Sequence, residues 1–314
     1  PTDILGGIVV GVIAGFTGRW IVNGLIPKMR KKGKWNFRLI KWFSGIFMFS
    51  AVYMVLQRYC FPFVEQNIRA DAMACSRQSL ITPTIDICKK TRGEGKEKIT
   101  YFITEIQLGE AMDLKAAFAN NQYGLNIRNT VSDMAEEHGA VFAFNGDYYG
   151  NRTDGLVIRN GILYRDKSGG RECFVIYRDG TAEIVQEGTV TGKKLIENGA
   201  WNAFSFGPAL VENGKIRENL NEPYKVDEIS VSITEKNPRT GIGILGPNHF
   251  LVIVVDGRNE GYSCGITLQE FAQLFADCGC ELAYNLDGGS SVTLYQEGQI
   301  LNHPCTSSGT ERNQ

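Results

Sequence analysis

Two hydropathy patterns divide this chain. Residues 4–26 and 39–56 are long apolar runs, charged only at Arg19 in the first and Lys41 in the second. Each is long enough to span a hydrocarbon core of about 30 Å, and neither carries the polar stripe of a soluble helix. From residue 99 onward the apolar residues fall into short runs punctuated by Asn-Gly, Asp-Gly and Gly-Pro, the pattern of strands and hairpins. The first pattern predicts a membrane hairpin and the second a β-rich domain.

The domain pattern resolves into elements. Residues 99–108 alternate as a strand, 114–121 read as a short helix or loop, and 130–138 as a helix ended by Gly139. Residues 140–144 read as a buried strand. Hairpins follow: 155–158 with 162–165 about Asn160-Gly161, and 173–177 with 181–186 about Asp179-Gly180. Another is 204–211 with the turn Asn213-Gly214. Residues 241–245 and 250–255 pair around Gly246-Pro247-Asn248, and the wholly apolar second member is expected to be central. Thr267-Leu268-Gln269-Glu270 is a capping box that starts a helix ended by Gly279. A strand then runs to Asp287, and residues 292–295 lead back. The expected class is α+β: a mostly antiparallel or mixed sheet with few helices, preceded by two transmembrane helices.

Charge sharpens the division. Residues 1–70 hold ten Lys/Arg against two Asp/Glu; the remainder holds 23 against 32, for a formal net charge of −1. The basic loop Lys28-Met29-Arg30-Lys31-Lys32-Gly33-Lys34, with Arg38 beyond, belongs on the cytoplasmic side. The expected layout at the cell membrane is therefore a transmembrane helix (1–27), a cytoplasmic basic loop (28–38), a second transmembrane helix (39–58), a stalk and entry segment (59–98) and an extracytoplasmic domain (99–314). A soluble helical hairpin is the alternative for residues 1–58. The acidic domain argues against nucleic acid as main partner. The chain opens on Pro1 and is expected to be a fragment cut at both ends. Its eight cysteines include no C-x-x-C pair, so a zinc ribbon is not expected, and spacing assigns no disulfide.

Three acids stand at the ends of apolar strands beside glycine: Asp147, Asp256 and Asp287. A lone Asp-Gly more often caps a turn. Three of them, with Asn145, Arg239 and Arg258, point to a shared site. The richest stretch is Asn285-Leu286-Asp287-Gly288-Gly289-Ser290-Ser291, an acid at a glycine turn flanked by hydroxyls. His138, His249 and His303 share no ligand spacing, and Glu235 is a further acid candidate.

Ordered motifs then resemble a family. Asn145-Gly146-Asp147-Tyr148-Tyr149, Gly155-Leu156-Val157-Ile158-Arg159-Asn160-Gly161, Phe206-Gly207-Pro208-Ala209-Leu210-Val211, Pro238-Arg239-Thr240-Gly241-Ile242-Gly243, Val255-Asp256-Gly257-Arg258, Ser263-Cys264-Gly265-Ile266-Thr267-Leu268 and the Asn285–Ser291 stretch are similar to those of the phosphodiester glycosidases, over roughly residues 95–314. Ser290 stands where the family often has a third glycine. The resemblance implies hydrolysis of a sugar-1-phosphodiester at the anomeric carbon, in cell-surface or exopolysaccharide metabolism.

On that basis Asp287, Asp147 and Asp256 are the candidate catalytic acids. Arg239 and Arg258 suit a phosphate clamp, and Asn145, Asn285, Gly288, Gly289, Ser290, Ser291, Thr240 and Tyr148 suit substrate binding. No metal ligand set is assigned, although clustered acids could take Ca²⁺ or Mg²⁺. Two other readings compete: a non-catalytic module binding teichoic acid or another surface glycan, and a metal-dependent phosphodiesterase. Separately, Pro1-Thr2-Asp3-Ile4-Leu5-Gly6-Gly7 resembles the end of the third motif of the type 2 phosphatidic acid phosphatases, with Asp3 as the motif's Asp on the outer face. The rest of that site is absent, so no phosphatase activity is expected of this chain.

Overall fold

The computed structural model describes residues 82–220 and 235–313. Both expected membrane segments and most of the expected stalk lie outside the described residues. Among the described residues, no helix is long and apolar enough to cross a membrane. Residues Leu80–Gln314 form one compact unit.

In chain order the strands and α-helices are β1 (Thr84–Arg92), β2 (Ile99–Gln107), α1 (Val131–Glu137), β3 (Phe142–Phe144), β4 (Gly155–Arg159), β5 (Ile162–Lys167), β6 (Glu172–Tyr177) and β7 (Ala182–Gln186). Then come α2 (Gly192–Glu197), β8 (Ala200–Ser205), β9 (Ala209–Glu212), β10 (Lys215–Ile216), β11 (Arg239–Gly246), β12 (His249–Val255), α3 (Leu268–Asp277), β13 (Leu282–Asn285), β14 (Leu294–Gln296) and β15 (Gln299–Ile300). They form a seven-stranded sheet, β1-β2-β12-β11-β13-β9-β10, a five-stranded sheet, β5-β4-β8-β6-β7, and a three-stranded sheet, β15-β14-β3. Each pairing between these strands is antiparallel. The domain is thus mostly antiparallel β with few helices.

β12 shows why the sheets stack. It pairs with β2 on one side and β11 on the other, so both its edges are satisfied. Its side chains alternate between two cores. Phe250, Val252 and Val254 meet Phe174 and Ile176 of the five-stranded sheet. Leu251, Ile253 and Val255 meet Leu268, Phe271, Ala272 and Phe275 of α3. The Thr267 hydroxyl and Glu270 carboxylate close the expected capping box at the start of α3. Gly241 and Gly243 of β11 let its rings approach: added Cβ atoms would lie 2.9 Å from the Phe271 ring and 2.6 Å from Cys280 Sγ.

Several elements differ from expectation. The alternation predicts no strand before Ile99, yet Thr84–Arg92 pairs with β2 along its length. Only Ile85 and Ile87 of β1 are partly covered and the rest is exposed, so its run of Lys, Thr and Arg hides the strand. The run 204–211 is two strands in different sheets, β8 and β9, separated at a cis Gly207-Pro208 bond. β3 is a short, half-buried strand rather than a buried one, with Val141 59% exposed. The short α2, capped by Thr191, is unanticipated.

Candidate active site

The register brings strand ends together. Arg239 opens β11 opposite Val255, the last residue of β12, while Gly241 pairs with Asn285, the last of β13. Asp256 and Asp287 therefore emerge on either side of the start of β11. The third acid arrives from β3: its end pairs with β14, and the Asn145 and Asp287 segments are stitched directly. The Asp287 amide donates to the Gly146 carbonyl at 3.1 Å, and Asn145 Nδ2 donates to the Asp287 carbonyl at 2.7 Å. Asn145 Oδ1 accepts from the Thr240 hydroxyl at 2.7 Å and from the Thr293 amide at 3.2 Å. Asn145 and Thr240, both buried, are thus the knot that fixes the three segments.

Asp147 and Asp287 share one locality with different surroundings. The Asp147 carboxylate is bound by Arg159 Nη2 at 2.5 Å and by the Ser205 amide at 2.9 Å, and both side chains of the ion pair are almost wholly buried. Asp147 is a fixed, compensated charge. Among the described residues, the bonds to the Asp287 carboxyl come from neutral donors. Its Oδ1 accepts from the Gly288 amide at 2.9 Å, and the Ser291 hydroxyl also bonds its side chain. Burial pushes its pKa up to about 6; Ser291, the Gly288 amide and the Arg312 charge oppose that rise, and the Asp147 charge adds to it. A carboxylate poised near neutrality beside a second one paired with an arginine is the arrangement expected of an acid–base or nucleophilic group.

The glycine turn after Asp287 is shaped for close approach. An added Cβ at Gly288 would sit 2.7 Å from the Pro238 carbonyl oxygen. Gly289 has φ of 62°, in the left-handed region, and donates its amide to that same carbonyl at 2.9 Å. An exposed guanidinium lies against it: an added Cβ at Gly289 would be 3.4 Å from both Arg258 Nη atoms. Asn237 Oδ1 holds Arg258 in place, accepting from Nη2 at 2.8 Å and Nε at 3.1 Å.

The remaining predicted residues divide. Arg239 is buried and donates to the Ile266 and Glu235 carbonyls, so it ties loops beneath the site; burial and the nearby Arg258 charge lower its pKa to about 10. Asp256 is 1% exposed, and both its oxygens are taken, by Tyr262, Asn302 and the His303 amide. It anchors the chain at residues 302–303 and is not brought to the Asp147–Asp287 locality by any of these bonds. Asn285 is buried and donates to the Gly207 carbonyl. Tyr148 packs edge-on to Phe206, with Arg152 4.9 Å above its ring. His303 has its ring near Tyr262, and the Glu235 carbonyl serves Arg239.

Two residues of the site were not predicted. Arg159 ends β4, a strand in which each residue is buried, and a charge in so apolar a run is the signal that could have found it. Arg312 is exposed and donates Nη1 to Ser290 Oγ at 3.0 Å. Nothing local in the sequence marks it. Among the described residues, no three His, Cys, Asp or Glu side chains come together as metal ligands.

A family model described as phosphodiester glycosidase matches residues 138–313. The chain belongs to the phosphodiester glycosidase family. Its matched span covers β3 to the Arg312 segment and so holds both acids and the glycine turn. This phosphodiester glycosidase-family chain is 33% identical over 199 residues to an uncharacterised protein derived from the SPbeta prophage of Bacillus subtilis, covering 62% of this chain and 30% of that protein. It is 28% identical over 189 residues to the mouse N-acetylglucosamine-1-phosphodiester alpha-N-acetylglucosaminidase, covering 56% and 36% respectively. The chain spans about a third of the length of these relatives. Among solved structures, the auto-inhibited catalytic domain of the zebrafish N-acetylglucosamine-1-phosphodiester alpha-N-acetylglucosaminidase aligns with a TM-score of 0.57 at 20% identity, covering 72% of this chain and 78% of that one. A hypothetical protein from Synechocystis aligns with the same TM-score at 14% identity, covering 73% and 60%. These two likenesses show the fold.

Proposed function

We propose that this chain hydrolyses a sugar-1-phosphodiester between the anomeric carbon and its oxygen. The observation that carries the reading is the pair of unlike carboxylates: Asp147 locked to Arg159, and Asp287 raised to about 6 on a glycine turn bordered by Arg258. In the net reaction the anomeric C–O bond breaks, its electron pair leaves on the phosphate oxygen, and the oxygen of water bonds the anomeric carbon. A phosphomonoester has a second pKa of about 6, so it departs with little protonation. The site's task is therefore to stabilise charge. Asp287 acts at the anomeric carbon as nucleophile or base, Asp147 supplies a fixed negative charge for the oxocarbenium-like centre, and Arg258 meets the phosphate. Arg239 supports this from below, Ser290 offers its hydroxyl to the substrate, and the buried Ser291 hydroxyl holds Asp287.

The names of the mammalian relatives support N-acetylglucosamine as the sugar. The apolar runs and basic loop of the first 58 residues support a membrane-anchored enzyme with this domain on the extracytoplasmic side, acting in cell-surface or exopolysaccharide metabolism. Among the described residues no cluster of His, Cys, Asp or Glu forms a metal cage, and each role in this reading falls to the chain's own side chains.

The test is to incubate the full chain with an N-acetylglucosamine-1-phosphodiester and follow release of free sugar and phosphomonoester. Asp287→Asn should lower kcat by about 10²–10⁴-fold. Absence of hydrolysis by the wild type, or full activity in the variant, would overturn the proposal.

A further inference from the structure

The last residues described fold back on the site rather than away from it. Asn302 bridges the Leu294 amide and the Val292 carbonyl and donates to Asp256, and the next amide, of His303, donates to the same carboxylate. A turn then reverses the chain: the Gly309 amide donates to the Thr306 carbonyl at 3.1 Å, and the Thr306 hydroxyl donates to the Thr310 carbonyl at 2.5 Å. Glu311 is seized at the start of α1, where its carboxylate accepts from the Ser132 amide at 3.1 Å and from the Ser132 hydroxyl. A carboxylate is favoured there by the unpaired amides and positive end of the helix. With residues 302–303 and Glu311 both pinned, Arg312 is delivered to Ser290 Oγ at 3.0 Å.

Consecutive residues of the glycine turn therefore each carry a guanidinium: Arg258 against Gly289, and Arg312 on Ser290. Both are exposed. They come from different parts of the chain, one just after β12 and one from the returning C-terminal segment. Two planar guanidinium forks on one small loop suit a group with several anionic oxygens.

We infer that Arg312 is a second phosphate-binding residue, which with Arg258 brackets the phosphoryl group of the substrate across the Gly289-Ser290 turn. The inference rests on the proposed phosphodiester chemistry. Its rationale is differential. The diester carries one negative charge, and the departing monoester gains a second, so a two-sided cationic bracket binds the leaving group more strongly as the bond breaks. The charge of Arg312 also opposes the rise in the Asp287 pKa, consistent with its lying at the mouth of the same site.

The experiment uses the full chain with Arg312→Ala and Arg312→Lys, in two arms. In the first, inorganic phosphate is titrated calorimetrically. Arg312→Ala should weaken its binding at least tenfold, and Arg312→Lys should restore part of the loss. In the second, hydrolysis of a sugar-1-phosphodiester is compared with that of the same sugar bearing an uncharged aryl leaving group. Arg312→Ala should lower kcat/KM at least 100-fold on the diester and less than fivefold on the aryl glycoside. Unchanged phosphate affinity, or equal losses on both substrates, would overturn the bracket. A wild type inactive on the diester would sink the proposed function, while the phosphate titration would still decide for or against Arg312.

Discussion

Asp147 and Asp287 separate by what surrounds them, and the separation is measurable without substrate. Asp147 belongs to an ion pair whose side chains are 2% and 3% exposed, the Ser205 amide adding a second donor. Asp147→Asn leaves the Arg159 charge buried without its counter-ion and should destabilise the fold by about 3–5 kcal/mol in chemical denaturation. Asp287 behaves in the opposite way. Its folded-state pKa, about 6, lies above the usual carboxylate value, so the folded state holds the proton longer than the unfolded chain does. Ionised Asp287 therefore costs stability, a cost that develops between about pH 4 and pH 6 and is complete above that. Asp287→Asn should stabilise the fold at pH 8 by about 3 kcal/mol relative to wild type, seen as a higher melting temperature, and change it little at pH 4. A variant less stable than wild type at pH 8 would contradict the assigned environment. The strand-end acids Asp147, Asp256 and Asp287 were all legible in the sequence, since each follows an apolar run. Their division into a paired charge, a loop anchor and a carboxyl of raised pKa was not, because the deciding partners, Arg159, Ser205 and Asn302, lie outside each acid's local segment.

At the scale of elements, local signals foretold what local chemistry decides. The Asn160-Gly161 and Asp179-Gly180 turns give the expected hairpins: Asn160 and Gly161 are both left-handed, which matches strand twist, and Gly180 takes the left-handed position of the second turn. The capping box of α3 stands as Thr267-Leu268-Gln269-Glu270 implies. Thr267→Ala should cost about 1 kcal/mol of stability, seen as a lower denaturation midpoint, with kcat unchanged because α3 packs behind the sheet. Elements fixed by tertiary contact escaped. β1 is an edge strand whose polar residues face outward, so alternation was weak. The apolar run across β8 and β9 read as one strand because only three dimensions show that the chain changes sheets at Phe206-Gly207-Pro208. Arg312 reaches Ser290 from a segment that Glu311 ties to α1.

For the whole domain, antiparallel pairing at the centre of the large sheet explains why the site exists where it does. β12 and β13 end where β11 begins, and β3 from the small sheet delivers its own end to the same place. Two cores on the faces of β12 hold those ends rigid, leaving the turn at Gly288-Gly289 to face outward with Arg258 and Arg312 beside it. The proposed reaction parts a sugar from a phosphate rather than cutting phosphorus from oxygen. Hydrolysis by the full chain in ¹⁸O-labelled water tests that claim most directly. Mass spectrometry should find the label in the released sugar and none in the phosphomonoester; label in the phosphomonoester would contradict cleavage at the anomeric carbon.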